Sequence, residues 1–216
     1  LVFFLSYGDG NTDMTNAKLA FHQITFKEVE DLRNTYVVNG GFDDDIAGWK
    51  ISNNNGTDLK AEVKEGKAVL SISNQGNDFW DSKFIQDRIA VNNGKYKVSF
   101  DIGSNVEDVT QVYFSVESTD VINGSAKKYL CDENNQPIAI SLNKTKDMKT
   151  YSFEFDVLIE ELIKSTEDLT IRFDLGKPYE GSLEGKELYL DNIKLERVGD
   201  LQQKNIAHTN VEFDVN

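Results

Sequence analysis

The sequence predicts an all-β protein built as a two-sheet antiparallel β-sandwich. Three observations carry this. Segment after segment alternates apolar and polar side chains with a period of two, turn dipeptides stand between the segments, and helical periodicity is almost absent. Sheets with no helices to cover them bury their apolar faces against one another, which is the sandwich solution.

Taken in order, residues 68–72 (AVLSI) form a strand after Gly66-Lys67, and residues 96–102 (YKVSFDI) form the next after Asn93-Gly94. Residues 111–117 (QVYFSVE), 151–157 (YSFEFDV) and 169–175 (LTIRFDL) follow, set off by Asn123-Gly124, Gly176-Lys177 and Gly185-Lys186. Only residues 159–164 (IEELIK) suggest a single helical turn. Alternation sends Val98, Phe100, Ile102, Val112, Phe114, Val116, Phe153, Phe155, Ile171, Phe173 and Leu175 inward. It sends Asp101, Gln111, Tyr113, Ser115, Glu117, Thr170, Arg172 and Asp174 outward, to a face in water. Such an outward row is what a sugar polymer needs, and equally what plain solvation of a sheet produces.

The balance of charge is acidic: 23 Lys+Arg against 37 Asp+Glu, a formal net charge of −14. Nucleic acid and anionic membrane surfaces need a basic footprint, so both are excluded as partners. No apolar run approaches the roughly 20 residues of a membrane helix. Cys131 is the single cysteine, so no internal disulfide forms, and neither histidine, His22 or His208, lies near it in sequence to activate it. A nucleophile elbow, zinc motif, phosphate loop and dinucleotide fingerprint are all absent from the sequence, which predicts a non-catalytic chain.

Residues 186–198 (KELYLDNIKLERV) align with residues 17–29 (AKLAFHQITFKEV) at an offset of 169 residues, and Asp200-Leu201 matches Asp31-Leu32. Self-similarity at so long a period indicates an array of whole modules. The expected organisation is residues 1–30 as tail strands of a preceding similar module, 31–198 as the complete module, and 199–216 as the start of a following module or a linker. The tail strands are expected to pair with an exposed sheet edge or with the C-terminal segment Asn210-Val211-Glu212-Phe213-Asp214-Val215 instead of trailing free.

The complete unit opens with Asn39-Gly40-Gly41-Phe42-Asp43 and Gly48-Trp49, and passes through Gly66-Lys67, Trp80-Asp81 and Gly94-Lys95-Tyr96-Lys97-Val98-Ser99-Phe100-Asp101. It closes on Leu190-Asp191-Asn192-Ile193-Lys194-Leu195. In that order and spacing the set resembles the jelly-roll carbohydrate-binding modules grouped around families 4, 9, 16 and 22, over residues 37–198. The resemblance implies a jelly roll that binds β-glycan chains of β-glucan, xylan or mannan type. It also implies a bacterial extracellular or cell-surface setting, in which the module targets a parent hydrolase or surface protein to polysaccharide beside neighbouring modules of the same chain. The sequence departs from the family at Lys83, where a Gln is usual, and at Asp43, where Glu is usual. The alternative is a structural or adhesion repeat of a surface protein without glycan binding.

Sugar rings offer apolar C–H faces and hydroxyl rims, so a site pairs an aromatic plate with planar polar groups. Trp80, after a turn-rich stretch and before a strand, is either a half-exposed stacking plate or core packing; Trp49 reads as core. Lys83, Asp101, Gln111, Tyr113, Glu117 and Arg172 complete the expected carbohydrate-binding set, with Tyr129 added from a loop. The resemblance further implies one structural calcium at Gly41, Asp43, the Lys67 carbonyl and Asp191, pinning the two ends of the module. A cation there also relieves the repulsion within Asp43-Asp44-Asp45.

Overall fold

The computed structural model describes residues 36–122, 124–143, 148–159 and 166–201. The expected tail strands, the C-terminal segment after Leu201 and residues 160–164 of the expected helical turn lie outside the described residues. The chain divides into two units, Leu1–Leu32 and Arg33–Asn216, and every described residue belongs to the second.

The described strands are β1 (Lys50–Asn53), β2 (Asp58–Lys64), β3 (Lys67–Asn74), β4 (Ser82–Val91), β5 (Gly94–Ser104), β6 (Thr110–Ile122), β7 (Ser125–Leu130), β8 (Ile138–Leu142), β9 (Lys149–Val157), β10 (Glu167–Asp174) and β11 (Lys186–Gly199). A 3-10 turn, Phe79–Asp81, stands before β4. One sheet runs β1-β4-β10-β6-β7, with β8 also paired to β6; the other runs β2-β3-β11-β5-β9. All pairings are antiparallel. The fold is therefore the predicted two-sheet β-sandwich of jelly-roll type.

Local chemistry sets the connections. Glu65 and Gly66 both have positive φ, 52° and 68°, which gives the primed two-residue turn that suits the twist of the β2–β3 hairpin. Asn93-Gly94, in contrast, carries the chain from β4 in one sheet to β5 in the other.

The inward parity is observed. Phe100, Phe114 and Phe173 are fully buried, with ring centroids 4.6 to 5.0 Å apart. Phe153 is half-buried and packs against this cluster. Burying each such ring stabilises the fold by roughly 1.5–3 kcal/mol. Trp49 is core, stacked on Phe84 at 4.9 Å.

Two bulges reset the alternation. At Arg88 (φ 58°) β4 switches from burying Phe84 and Gln86 to burying Ile89 and Val91. At Asn192 (φ 52°) β11 switches from Leu188 and Leu190 to Ile193 and Leu195, leaving the adjacent Asp191 and Asn192 outside the core.

Candidate functional site

The outer face of the first sheet is built from three neighbouring strands in register. Lys83 on β4 faces Asp174 on β10, which faces Tyr113 on β6; one step along, Ile85, Arg172 and Ser115 are in line. The sequence predicts this row to be solvated, yet Tyr113, Ser115, Thr170 and Asp174 are buried. Arg172 lies over this face, paired along β10 with Asp174 and across to Glu117 on β6. Arg172 Nε and Nη2 donate to Asp174 Oδ1 at 2.8 and 2.7 Å, and Nη1 donates to Glu117 at 3.0 Å. This span takes the guanidinium across the β10–β6 gap, where Ser115 is its register partner.

Burial pushes the Asp174 carboxyl up to about 6, against the pull of the Arg172 guanidinium and the Lys83 ammonium. The Arg172 guanidinium loses hydration in the same place, but its two carboxylate partners outweigh that and hold its pKa above the ordinary value. Glu117 and Arg172 are thus engaged with each other. Lys83 is half-buried, and it makes no ion pair or hydrogen bond among the described residues.

One end of the face is aromatic. Phe79 lies 4.6 Å from Trp80, 4.5 Å from Tyr113 and 5.6 Å from Tyr179, centroid to centroid. Trp80 is 44% exposed and Tyr179 81% exposed, while Phe79 and Tyr113 are buried beneath them. Phe79, Tyr113 and Tyr179, but not Trp80, line an open cavity of ≈ 200 Å³ together with Gln111, Asp132, Gln136 and Ala139.

Two elements hold these rings. The 3-10 turn is fixed by Asp81, whose buried carboxylate accepts from the Asn77 and Asp78 N–H groups at 2.9 and 3.0 Å and from Asn55 at 2.7 Å. Burial alone raises that carboxyl, but these donors outweigh it and set its pKa below the ordinary value. The loop 175–185 is fixed by Gly176 N–H donating to the Phe79 carbonyl, by Tyr179 N–H donating to the Tyr113 hydroxyl at 2.9 Å, and by Leu183 N–H donating to Gln75 at 2.9 Å.

The predicted residues therefore sort by surroundings. Trp80 and Lys83 are open to a ligand. Gln111 and Tyr113 are on the same face but serve the loop: the Tyr113 hydroxyl donates to Gln111 Oε1 at 3.0 Å, and Gln111 Nε2 donates to Glu180 at 3.1 Å. Two residues are elsewhere. Asp101 lies on β5 in the second sheet, accepting from Thr150 and from Asn192 Nδ2. Tyr129 lies at the end of β7 and not in a loop, half-buried against the core at a register shift opposite β6. Phe79, Tyr179, Asp132 and Gln136 are not in the predicted set. Tyr179 had a signal: an aromatic residue inside a Lys177-Pro178-Tyr179-Glu180-Gly181 turn at a strand end.

Of the proposed calcium residues, Asp43 and Lys67 lie close enough to Asp191, on the other sheet, for their charges to act on it. The opening turn docks on the β11 bulge: Ile193 N–H donates to the Gly40 carbonyl at 2.9 Å, and a Cβ on Gly40 would sit 2.0 Å from the Ile193 oxygen. Asp191 and Asp101 are register partners, a direct like-charge pair. Burial raises the Asp191 carboxyl, and the charges of Asp101 and Asp43 add to this against Lys67 and the Asn192 N–H. No group of three Asp, Glu, His or Cys side chains among the described residues is arranged as a metal cage. A cation here would take backbone carbonyls in addition to carboxylates, a donor set that suits calcium.

A jelly roll with an aromatic-ended polar face is the architecture of a carbohydrate-binding module. The Carbohydrate binding domain family CBM_4_9 matches residues 34–182, and the chain belongs to it. Among solved structures, a family 4 carbohydrate-binding module superposes with a TM-score of 0.57 at 18% identity, covering 74% of this chain and 99% of that one. A protein from Bacteroides thetaiotaomicron VPI-5482 gives 0.55 at 12% identity, with 76% and 100% covered. The family 22 module joined to the catalytic module of a Clostridium thermocellum endo-1,4-β-D-xylanase, complexed with xylohexaose, gives 0.50 at 15%, with 74% and 28% covered. At these identities the superpositions speak to fold. None of the curated protein sequences matches the chain.

Proposed function

We infer that the outer face of β4, β10 and β6 binds a β-glycan chain of β-glucan, xylan or mannan type, without catalysis. The observation that supports this most is the pair of exposed rings, Trp80 and Tyr179, both packed on Phe79, with Tyr179 lining an open cavity. One sugar ring stacks on Trp80, while a further ring of the chain meets Gln136 and Asp132 in the cavity beside Tyr179. The module's role is to bring a parent hydrolase or cell-surface protein to polysaccharide in the extracellular space. Calcium at Gly41, Asp43, the Lys67 carbonyl and Asp191 is structural in this reading and lies on the opposite sheet from the glycan. A structural repeat without glycan binding is the competing reading; the internal engagement of Gln111 and Tyr113 favours it.

Titration against laminarin, barley β-glucan, xylan and glucomannan separates the two. At least one glycan binds the native chain, and Trp80→Ala lowers that affinity by at least tenfold with an unchanged near-ultraviolet spectrum of the remaining aromatics. Binding to none of the four, or full affinity in Trp80→Ala, removes the proposal.

A further inference from the structure

Among the described residues, Lys83 is the one charged side chain on the floor of this face that makes no hydrogen bond or ion pair of its own. Asp174 Oδ1 and Glu117 are held by Arg172, with Asp174 Oδ2 buried and without a hydrogen bond, and Asp81 is held by backbone N–H groups and Asn55. The Lys83 ammonium has three donors and no hydrogen-bond or ion-pair partner among the described residues. It is nevertheless half out of water, and burial together with the Arg172 guanidinium holds its pKa below the ordinary lysine value, against the pull of the Asp174, Asp81 and Glu117 carboxylates. A cation so placed regains most from an anion, because a charge-assisted hydrogen bond is about twice as strong as one to a neutral hydroxyl.

We propose that Lys83 makes the module selective for a neutral glycan main chain carrying an isolated carboxylate, that of a uronic acid substituent. The inference rests on the glycan-binding reading above. Register gives its geometry: Lys83 lies two strands from Tyr113, about 10 Å at ~4.8 Å per strand spacing. A main chain seated on the aromatic end therefore reaches Lys83 with a further residue or a branch. The whole molecule sets the charge density of the ligand. At a net charge of −14 the chain repels a polyanion at long range, whereas a single carboxylate within about one Debye length, ~8 Å, meets the local cation.

The test is calorimetric titration of the full chain with two xylo-oligosaccharides that differ at one atom set. One bears a single glucuronic acid branch and the other the same branch reduced to glucose. The native protein binds the acid form at least fivefold tighter at low salt, and the ratio shrinks as salt rises. Lys83→Gln brings the ratio to about one, while Lys83→Arg, which keeps the cation, keeps a ratio well above one. Equal affinities in the native protein, or a preference that survives Lys83→Gln, overturn the selectivity and leave glycan binding standing. Absence of binding to both oligosaccharides, with none to the four polysaccharides either, overturns both inferences together.

Discussion

Asp174 shows how a single side chain escapes the alternation rule. Parity places it outside the core, correctly, but the sheet face there is roofed by side chains, and its exposure is 0%. Its pKa of about 6 has a consequence for stability. Between the ordinary value of 3.8 and about 6, the folded protein holds a proton on Asp174 that the unfolded chain has released. The contribution of this group to stability therefore falls as pH rises through that window, by an amount on the order of 3 kcal/mol. Comparing the native protein with Asp174→Asn isolates the effect from the other carboxylates. From pH 4 to pH 7 the native protein loses melting temperature relative to the variant. A difference that stays flat across the window would show that Asp174 is solvated. What was legible at this scale was direction: Arg172, Glu117 and Tyr113 do share one face. Their mutual pairing was not legible, because it depends on which strands lie side by side, and β10 and β6 are about 50 residues apart in sequence.

At the scale of elements, the aromatic end exists because two short irregular pieces are locked to each other. A Cβ on Gly176 would sit 2.1 Å from the Asp78 carbonyl oxygen. Gly181 adopts a φ of +79° and its Cβ would meet the Val109 oxygen at 2.5 Å. Both contacts are to backbone, so a side chain is accommodated only by moving the loop or the 3-10 turn. Gly176→Ala is expected to destabilise the protein by about 1–3 kcal/mol in denaturant unfolding. It is also expected to weaken glycan binding severalfold without touching a ring, because it shifts Tyr179 relative to Trp80. Native stability together with native affinity in this variant would show that the loop does not position the site. The long alternating strands β5, β6, β9 and β10 were readable from period-two patterning alone. The bulges at Arg88 and Asn192 were not, since an extra residue in a strand has no compositional mark when it is not glycine.

For the molecule as a whole, the opening segment clamps the two sheets. Tyr36 N–H donates to the Leu195 carbonyl of β11, while Gln86 of β4 receives the Val38 N–H at 2.8 Å and donates to its carbonyl at 2.7 Å. The segment then turns through Gly40 onto the β11 bulge, where the charges of Asp101 and Asp43 act on the Asp191 carboxyl. The motifs that carried the family resemblance, Asn39-Gly40-Gly41-Phe42-Asp43 and Leu190-Asp191-Asn192, are thus physically one joint, which is why they occur together in one sequence. An acidic joint in a chain of net charge −14 gains from a bound divalent cation twice, through coordination and through relief of the Asp101–Asp191 pair. Calcium at this joint is expected to raise the melting temperature by several degrees and a chelator to reverse it, since binding only the folded state stabilises by mass action. Asp43→Asn should remove most of that response. Glycan affinity should be nearly the same with and without chelator, because the joint faces away from the β4–β10–β6 face. A melting curve that calcium and chelator leave unmoved would mean that the joint is held by the hydrogen bonds of Tyr36, Val38 and Gly40 alone.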